Sequence, residues 1–439
     1  MASYLRGIHT PHRKGTKNSP AVRMDIPQRV TIPMSMHIGK PAVPTVKVGD
    51  LVKVGTKIGD ADGYISSNVY SGVSGKVTKL TDYLMHNGAA TTAVVIESDG
   101  EMKIDESITP PTVNSKQELV EAVKASGIVG LGGAGFPTYV KLDVDPGRID
   151  YLIINGAECE PYVTSDTATM LTRSDDMVDA LNALNRHLGI KQVIIGVESH
   201  NKKALEAMKR MAASVDGFSV KVQSLPAVYP QGGEKVLVYH TTGRKIANNK
   251  LPIDVGCIVL NCTTVAAIGA YLRTGMPLVE KCVTVEGGAV KQPQNVIAPI
   301  GASLKDLFDF CGGLTEDPAK IIYGGPMMGI TVANLDMSVI KNTNAVLALT
   351  KKESKLPKTT SCIRCGACIN TCPFGLEATS IAEAYEKKDA AMLSELSVQS
   401  CMECGCCSFV CPANRPLVQI NKLSKQFLRE EAKKESEKK

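Results

Sequence analysis

Two short cysteine-rich runs near the C-terminus have the residue types and the spacing to hold redox-active metal clusters. Each run follows the pattern C-x2-C-x2-C-x3-C and is followed directly by proline, at Pro373 and Pro412. In proteins with this pattern, the first three thiolates of a run bind one [4Fe–4S] cluster and the fourth binds the other. The spacing predicts a cluster 1 with the ligands Cys362, Cys365, Cys368 and Cys411. It predicts a cluster 2 with the ligands Cys372, Cys401, Cys404 and Cys407.

The remaining cysteines show no comparable pattern. Structural zinc sites use separated Cys-x2-Cys pairs or mixed Cys/His sets, which do not fit two triple runs that each end in Cys-Pro. Cys406 lies inside the second run but outside its spacing, so we expect it to pack beside a cluster without binding it. Five further thiols are scattered along the chain and are expected to be small buried side chains: Cys159, Cys257, Cys262, Cys282 and Cys311.

The glycine-rich segment GLGGAGFPTYVK, residues 130–141, is the candidate for the site that exchanges electrons with such clusters. Gly130, Gly132 and Gly135 match G-x-G-x-x-G, but a predicted helix precedes them and Phe136-Pro137 follows, so the segment is not a Rossmann fingerprint. Glycines still let backbone N–H groups approach an anion closely. Lys141 adds a positive charge and Phe136 offers a ring for stacking. The segment therefore predicts a site for a phosphate-bearing cofactor.

The composition excludes several classes of function. The 439 residues include no Trp and only 4% aromatic residues, with a net charge of +6, which argues against a single-stranded nucleic-acid partner. The N-terminus lacks an apolar signal region, and a cytoplasmic chain with clustered thiols points to metal or redox chemistry. The most apolar long stretch, residues 255–272, divides into a predicted strand and helix, so we expect no transmembrane segment.

The pattern of strands and helices predicts a multidomain protein of α/β and β modules. Apolar runs predict strands at residues 150–156 and 191–198, and Ser115 and Ser303 are expected to cap helices. Residues 1–30 form a basic N-terminal arm that is expected to be exposed to solvent or to dock a partner. The stretches after it are expected to fold as a barrel-sandwich (lipoyl-like) module without the carrier lysine, an α/β domain that contains the glycine-rich segment, a β-grasp (SLBB-like) module and a helical two-cluster ferredoxin-like domain. The expected bounds are 31–110, 111–275, 276–349 and 350–425, with a charged tail at 426–439.

The glycine segment and three later motifs resemble the 51-kDa subunit of respiratory complex I. The later motifs are INGAECEPY, QGGEK and LNCTT. The resemblance implies a site for FMN and NAD(H) formed by Gly130, Gly132, Gly133, Gly135, Phe136, Lys141, Asn155, Glu158, Glu160, Gly233, Glu234, Asn261 and Thr263. It implies that Lys141 and the loop amides neutralise the FMN phosphate, that Glu158 and Asn261 hold the flavin, and that Glu160 positions the nicotinamide. The chain departs from the complex I pattern at Leu131, Ala157 and Lys235.

The whole order of modules resembles the C-subunit family of the Rnf complexes, which are membrane-bound NADH:ferredoxin oxidoreductases coupled to Na⁺ or H⁺ transport. The segments GIHTPHRK and IPMSMHIGKPAVPTVKVGD carry this resemblance at the N-terminus. It implies hydride exchange between NAD(H) and FMN, single-electron transfer through two [4Fe–4S] clusters, and a peripheral position on the cytoplasmic side of the membrane. The implied partners are the membrane and peripheral Rnf subunits, including the iron–sulfur B subunit.

Two alternatives stay open at this point. One is a soluble flavin/iron–sulfur cobalamin reductase, a relative that shares these modules but begins near the glycine segment. The other is a non-enzymatic electron relay without a working flavin site.

Overall fold

The computed structural model describes residues 5–215, 217–332 and 334–437. The strands of its N-terminal part are β1 (Ala21–Arg23), β2 (Arg29–Pro33), β3 (Val43–Pro44), β4 (Leu51–Val52), β5 (Lys57–Asp60), β6 (Val69–Tyr70), β7 (Gly75–Leu84) and β8 (Ala90–Ser98). Seven of them form two small sheets, in the orders β2–β8–β7–β4 and β3–β5–β6. Val30 and Ile32 of β2 and Val94 and Ile96 of β8 are fully buried between the layers. This arrangement agrees with the predicted barrel-sandwich module.

The second module is a parallel sheet covered by helices, as the alternation of strand and helix patterns predicted. Its elements are α1 (Lys116–Ala125), α2 (Thr138–Leu142), β9 (Tyr151–Gly156), α3 (Ser165–Thr172), α4 (Ser174–Leu188), β10 (Gln192–Glu198), α5 (Lys202–Ala213), β11 (Val220–Leu225), α6 (Glu234–Thr242), β12 (Cys257–Asn261) and α7 (Cys262–Thr274). The strand order is β11–β10–β9–β12, and all neighbouring pairs are parallel. Ser115 caps α1 by accepting a hydrogen bond from Glu118 N, as the sequence predicted.

The third module is a mixed six-stranded sheet with one helix. Its elements are β13 (Glu280–Glu286), β14 (Gln294–Pro299), α8 (Leu304–Phe310), β15 (Lys320–Tyr323), β16 (Ile330–Val332) and β17 (Ala345–Leu349). The strand order is β1–β14–β13–β17–β15–β16, so β1 from the N-terminal arm completes this sheet. Ser303 caps α8 through Asp306 N, and Gly312 follows its end with a positive φ of 78°.

Residues 5–30 of the N-terminal arm pack against the second and third modules, so the expectation of a solvated arm is wrong for this part of it, while residues 1–4 lie outside the described residues. Strand β1 pairs in parallel with β14 and covers its edge, an edge that would otherwise expose unpaired backbone groups. Thr16 is 1% exposed, and Lys14 Nζ donates to Glu158 O and Val163 O, both at 2.6 Å. The short β1 gave too little alternation to signal a strand in the sequence.

The fourth module is helical and is built from an internal repeat. Its helices are α9 (Ala367–Thr371), α10 (Ala378–Glu386), α11 (Ala390–Glu395), α12 (Cys406–Phe409) and α13 (Leu417–Glu437). The second half repeats the first at a spacing of 39 residues. Cys401 lies 39 residues after Cys362, α12 begins 39 residues after α9, and α13 begins 39 residues after α10. The backbone repeats as well, with positive φ at Arg364 (53°) and Glu403 (60°). Within the described residues, no helix combines the length and apolar character needed to cross a bilayer.

A buried lysine joins the first three modules. Lys341, just before β17, is fully buried, and its Nζ donates to Ser67 Oγ at 2.9 Å, to Gly127 O at 2.8 Å and to Asn68 O. Burial lowers the pKa of Lys341 to about 7, while the three acceptors match the three N–H groups of an ammonium.

Replacing this lysine is expected to destabilise the junction. Lys341→Met keeps the chain length but removes one donor from each of three buried oxygens, of which Gly127 O keeps the Ser67 hydroxyl as a donor. The free energy of unfolding should therefore fall by about 2 kcal/mol. Urea denaturation of the apoprotein, followed by circular dichroism, measures this loss. The exposed Lys305→Met, which breaks only an i,i+4 ion pair with Asp309, is the control and should cost less than about 0.5 kcal/mol. Equal midpoints for the two variants would contradict a structural role for Lys341.

Candidate functional site

The strand order of the parallel sheet in the second module reverses between β9 and β12, and the region beyond the carboxyl ends of these two strands is called the crevice below. The chain forms β9, β10 and β11 in one direction and returns to the other side of β9 with β12. Open α/β sheets bind ligands outside the carboxyl ends of the strands at such a point. Asn155 in β9 and Asn261 in β12 are register partners at this edge. The sheet therefore places two predicted site residues, distant in sequence, side by side.

In the glycine loop, residues 130–135, two carbonyl groups accept hydrogen bonds from other modules, whereas the N–H groups of residues 132–134 are exposed. Asn342 Nδ2 of the third module donates to Gly133 O at 2.8 Å. Ile38 N of the first module donates to Gly135 O at 3.1 Å. Residues 132–134 are exposed, and in the described part of the chain their amides donate to no protein acceptor. Successive free N–H groups of this kind form a cradle that suits a phosphate.

Asn261 forms the floor beneath this loop. A Cβ on Gly132 would lie 2.3 Å from Asn261 Nδ2, so no other residue fits there without displacing the loop. Asn261 Oδ1 accepts Thr263 N at 2.9 Å and caps α7. Asn261 Nδ2 and Thr263 Oγ1 donate to the two oxygens of Asp166, at 2.7 and 2.8 Å. Asn261 and Thr263 thus shape the floor, and their direct contact with a flavin stays a prediction.

Two of the three predicted carboxylates, Glu158 and Glu160, accept hydrogen bonds from other parts of the protein. Glu158 Oε1 accepts Asp166 N at 2.8 Å, and its Oε2 accepts Thr167 Oγ1 at 2.8 Å, at the start of α3. Glu160 accepts the amides of Met327 and Met328 in the third module, at 3.0 and 2.8 Å. Burial raises the pKa of Glu158, and it raises the pKa of Glu160 to about 7. Their predicted contacts with flavin and nicotinamide are not visible in these hydrogen bonds and stay predictions.

The other predicted residues surround the same crevice. Lys141 Nζ donates to Glu234 Oε1 at 2.8 Å and to Val259 O at 3.1 Å, so this cation is already paired. Asn155 Nδ2 donates to Gly232 O at 2.9 Å, next to Gly233. The loop closes on itself through Gly130 N, which donates to Phe136 O at 2.8 Å, and the Phe136 side chain is half-buried.

The predicted ligands of cluster 2 line one cavity in the fourth module. All four predicted thiols, from both runs, border it: Cys372, Cys401, Cys404 and Cys407. Asn421 and Met402 also line it, and so does a fifth thiol, Cys406, which is 1% exposed. In the described residues, no three His, Cys, Asp or Glu side chains converge as the ligands of a single metal ion would. Four thiols from two runs around one cavity match the ligand set of a [4Fe–4S] cluster.

The predicted ligands of cluster 1 show the same crossing between the runs. Cys411 of the second run packs in one apolar group with Cys368 of the first. Burial and then the nearby Cys411 and Cys362 thiols raise the pKa of Cys368. Cys365 is exposed, so this end of the module reaches the surface.

The crevice and the thiol cavity meet at one apolar contact. Met402, which lies between two predicted ligands, packs so closely on Gly233 that a Cβ there would lie 2.3 Å from its Cε. Tyr229 Oη donates to Cys404 O at 2.8 Å. Tyr229, Met402, Cys404 and Cys406 belong to one buried apolar group. The contact joins the second module to cluster 2 rather than to cluster 1.

Comparison with known domain families identifies four segments. Residues 2–101 match the RnfC barrel sandwich hybrid domain and residues 123–270 the Nuo51 FMN-binding domain. Residues 282–331 match the SLBB domain and residues 358–415 the 4Fe-4S dicluster domain. These matches confirm the predicted module types and the predicted cofactors, FMN and 4Fe–4S clusters.

Curated relatives match over most of the chain. The C subunit of the proton-translocating ferredoxin:NAD(+) oxidoreductase complex of Clostridium ljungdahlii is 41% identical, over 87% of this chain and 84% of its own. The C subunit of the Na(+)-translocating complex of Acetobacterium woodii is 40% identical, over 87% of each chain. This chain belongs to the C-subunit family of the ion-translocating ferredoxin:NAD(+) oxidoreductase complexes. The C subunit of an ion-translocating oxidoreductase complex of Rhodobacter capsulatus is 39% identical, over 97% of this chain and 83% of its own.

A solved structure shares the fold of this C-subunit family member. A chain of an NAD+-reducing [NiFe]-hydrogenase in the H2-reduced state superposes with a TM-score of 0.51 at 17% identity. The match covers 73% of this chain and 62% of the hydrogenase chain. At this identity the likeness concerns the fold alone.

Several residues that position the site were not predicted from the sequence of this family member. Ile38 and Asn342 hold the glycine loop from two other modules, and Lys14 of the arm lies 4.0 Å from Glu158 Oε2. No local pattern marks these three residues, since each acts through tertiary packing. Asn421 is different, because an alignment of the two cysteine runs with their following helices would have singled it out.

Proposed function

We propose that this chain is the NAD(H)-reacting subunit of an ion-translocating ferredoxin:NAD(+) oxidoreductase complex. In this proposal a hydride is exchanged between NAD(H) and FMN at the glycine loop, and single electrons pass through two [4Fe–4S] clusters. FMN accepts two electrons as a hydride and releases them singly, which matches a two-electron substrate to one-electron clusters. The observation that carries the proposal is the contact of Met402 with Gly233, because it joins the candidate flavin crevice to the thiol cavity within one chain.

The residues of the crevice would each bind a different part of the cofactors. The exposed amides of residues 132–134 would bind the FMN phosphate, and the Phe136 side chain would stack on an aromatic ring of a cofactor. Asn261, Thr263 and Glu158 would fix the floor against which the flavin lies, and Glu160 would orient the nicotinamide. Lys141 is expected to exchange its pairing with Glu234 for the phosphate, since its side chain is 30% exposed and can move.

The thiols would hold the clusters in the crossed pairing that the sequence predicts. Cluster 2 would lie next to the flavin crevice, and cluster 1 would lie toward the surface near Cys365. Electrons would then enter or leave the subunit at the cluster 1 end.

The partners proposed for that end are other subunits of the complex, including its iron–sulfur B subunit. Arg364 is exposed and directly precedes Cys365, and Lys355 and Lys358 are exposed in the segment that leads to it. Among the described residues, none of these three cations forms an ion pair with a carboxylate. A basic surface of this kind attracts an acidic partner and speeds its association. We place the subunit peripherally on the cytoplasmic face of the membrane. The N-terminal match over residues 2–101 favours this assignment over a soluble cobalamin reductase.

Anaerobic reduction of the reconstituted chain tests this proposal. Iron, sulfide and FMN are incorporated, NADH is added, and the visible absorbance of flavin and clusters is followed. Bleaching of both chromophores is the expected result. Clusters that bleach with dithionite but not with NADH would instead support a relay role, or a nicotinamide site that forms only in the assembled complex.

A further inference from the structure

The two halves of the cysteine module give their first thiol the same backbone environment. Arg364 N lies 3.4 Å from Cys362 Sγ, and Glu403 N lies 3.4 Å from Cys401 Sγ. The turns repeat too, with Gly366 at a φ of 73° and Gly405 at 81°. Backbone hydrogen bonds to the first thiol are therefore the same for the two predicted clusters, and they do not make the reduction potentials of the clusters differ.

One side chain breaks this symmetry. Asn421 on α13 donates from Nδ2 to Cys401 Sγ at 3.4 Å. The residue 39 positions earlier, in the equivalent place on α10, is Ala382, which is fully buried in the apolar group of Cys368. Cluster 1 thus has a methyl group where cluster 2 has an N–H donor.

The environment of Asn421 fixes the direction of this hydrogen bond. Asn421 is 2% exposed and lines the cavity of cluster 2. Among the described residues, its Oδ1 finds no donor. Reversing the amide would turn this oxygen toward a ligand thiolate, which cannot donate to it. The amide is therefore held with its N–H toward the sulfur, at the cost of an unpaired oxygen.

The nearest charged group does not supply the same interaction. Lys425 Nζ donates to the backbone oxygen of Cys401 at 3.0 Å rather than to its sulfur. Its charge is also paired with Glu403. Asn421, by contrast, donates to the sulfur of Cys401 itself.

We propose that Asn421 is a positioning residue that raises the reduction potential of cluster 2 above the value set by the shared backbone. A hydrogen bond to a ligand sulfur spreads its negative charge and so favours the reduced cluster. The inference rests on the proposed function, since it requires the crossed assignment of thiols to two clusters. It goes beyond that function by naming the residue that makes two clusters of one repeat unequal.

Redox titrations of the full reconstituted chain, followed by electron paramagnetic resonance, test the proposal. In Asn421→Ala one midpoint potential should shift downward while the other stays at its wild-type value. Asn421→Leu, which has a side chain of similar size but no donor and no charge, should shift the same potential downward. A shift in this variant too would show that the effect does not come from the smaller volume of alanine. Asn370→Ala, an exposed asparagine of the same module, should leave both potentials unchanged.

Three outcomes would overturn the inference in distinguishable ways. Two intact clusters with wild-type potentials in both Asn421 variants would overturn the role of Asn421 alone. A shift of both potentials by the same amount would show that Asn421 acts on the whole module. A wild-type chain that binds fewer than two clusters would overturn the proposed function and the inference together.

Discussion

Replacing Gly133 by alanine is expected to lower the affinity for FMN at least about tenfold, which corresponds to about 1.4 kcal/mol. Gly133 is exposed at the middle of the glycine loop, and a Cβ there would meet nothing within 4 Å in the protein. Its methyl group would instead enter the space in which a phosphate must approach the loop amides. The thermal stability of the apoprotein should therefore stay unchanged while flavin binding weakens.

Gly132→Ala, in the same loop, should differ from Gly133→Ala in its effect on the stability of the apoprotein. Its Cβ would lie 2.3 Å from Asn261 Nδ2, so this variant should lose apoprotein stability as well as flavin. Fluorescence titration with FMN and thermal melting of the apoproteins measure the two effects separately. If Gly133→Ala binds FMN as tightly as the wild type, the phosphate does not lie on this loop.

Paired cysteine replacements are expected to reveal which thiols share a cluster. The wild-type chain should bind about eight irons, and Cys411→Ala should bind about four, because a cubane that loses one of its four thiolates is lost. Adding Cys365→Ala to Cys411→Ala should leave about four irons, since both residues belong to the predicted cluster 1. Adding Cys404→Ala should remove nearly all iron, since it destroys cluster 2 as well.

An uncrossed arrangement gives the opposite result for the two double variants. There Cys404 and Cys411 would share a cluster, and Cys365 with Cys411 would abolish both. Cys406→Ala is the matched control in the same run, because Cys406 is buried but lies outside the spacing. It should retain about eight irons, by iron analysis and visible absorbance, if each run supplies only four ligands.

The sequence predicted best what short-range spacing encodes. The spacing within the two cysteine runs was enough to predict iron–sulfur clusters. The glycines of the glycine-rich segment were enough to predict a loop whose backbone can approach a phosphate closely. Strands such as β9 and β10 were visible as apolar runs, and Ser115 and Ser303 were visible as helix caps. All of these are set by neighbours within a few residues in the chain.

What the sequence could not predict depends on register and packing between modules. The pairing of Asn155 with Asn261 follows from the order of strands in the sheet, which a motif does not contain. The resemblance assigned Glu158 and Glu160 to ligands, whereas the structure shows their oxygens bonded to α3 and to the third module. The arm was expected to be solvated because basic residues are usually exposed. The structure instead shows Lys14 donating hydrogen bonds to two backbone oxygens of the second module.

The two bonds from Ile38 and Asn342 to the glycine loop have a consequence for when the loop is ordered. Because other modules hold the carbonyls of Gly133 and Gly135, much of the loop's conformational entropy is lost during folding rather than during ligand binding. Such preorganisation strengthens binding without adding any contact to the ligand. An excised α/β module would keep every residue of the motif and lose this advantage, so its affinity would be that of a flexible loop.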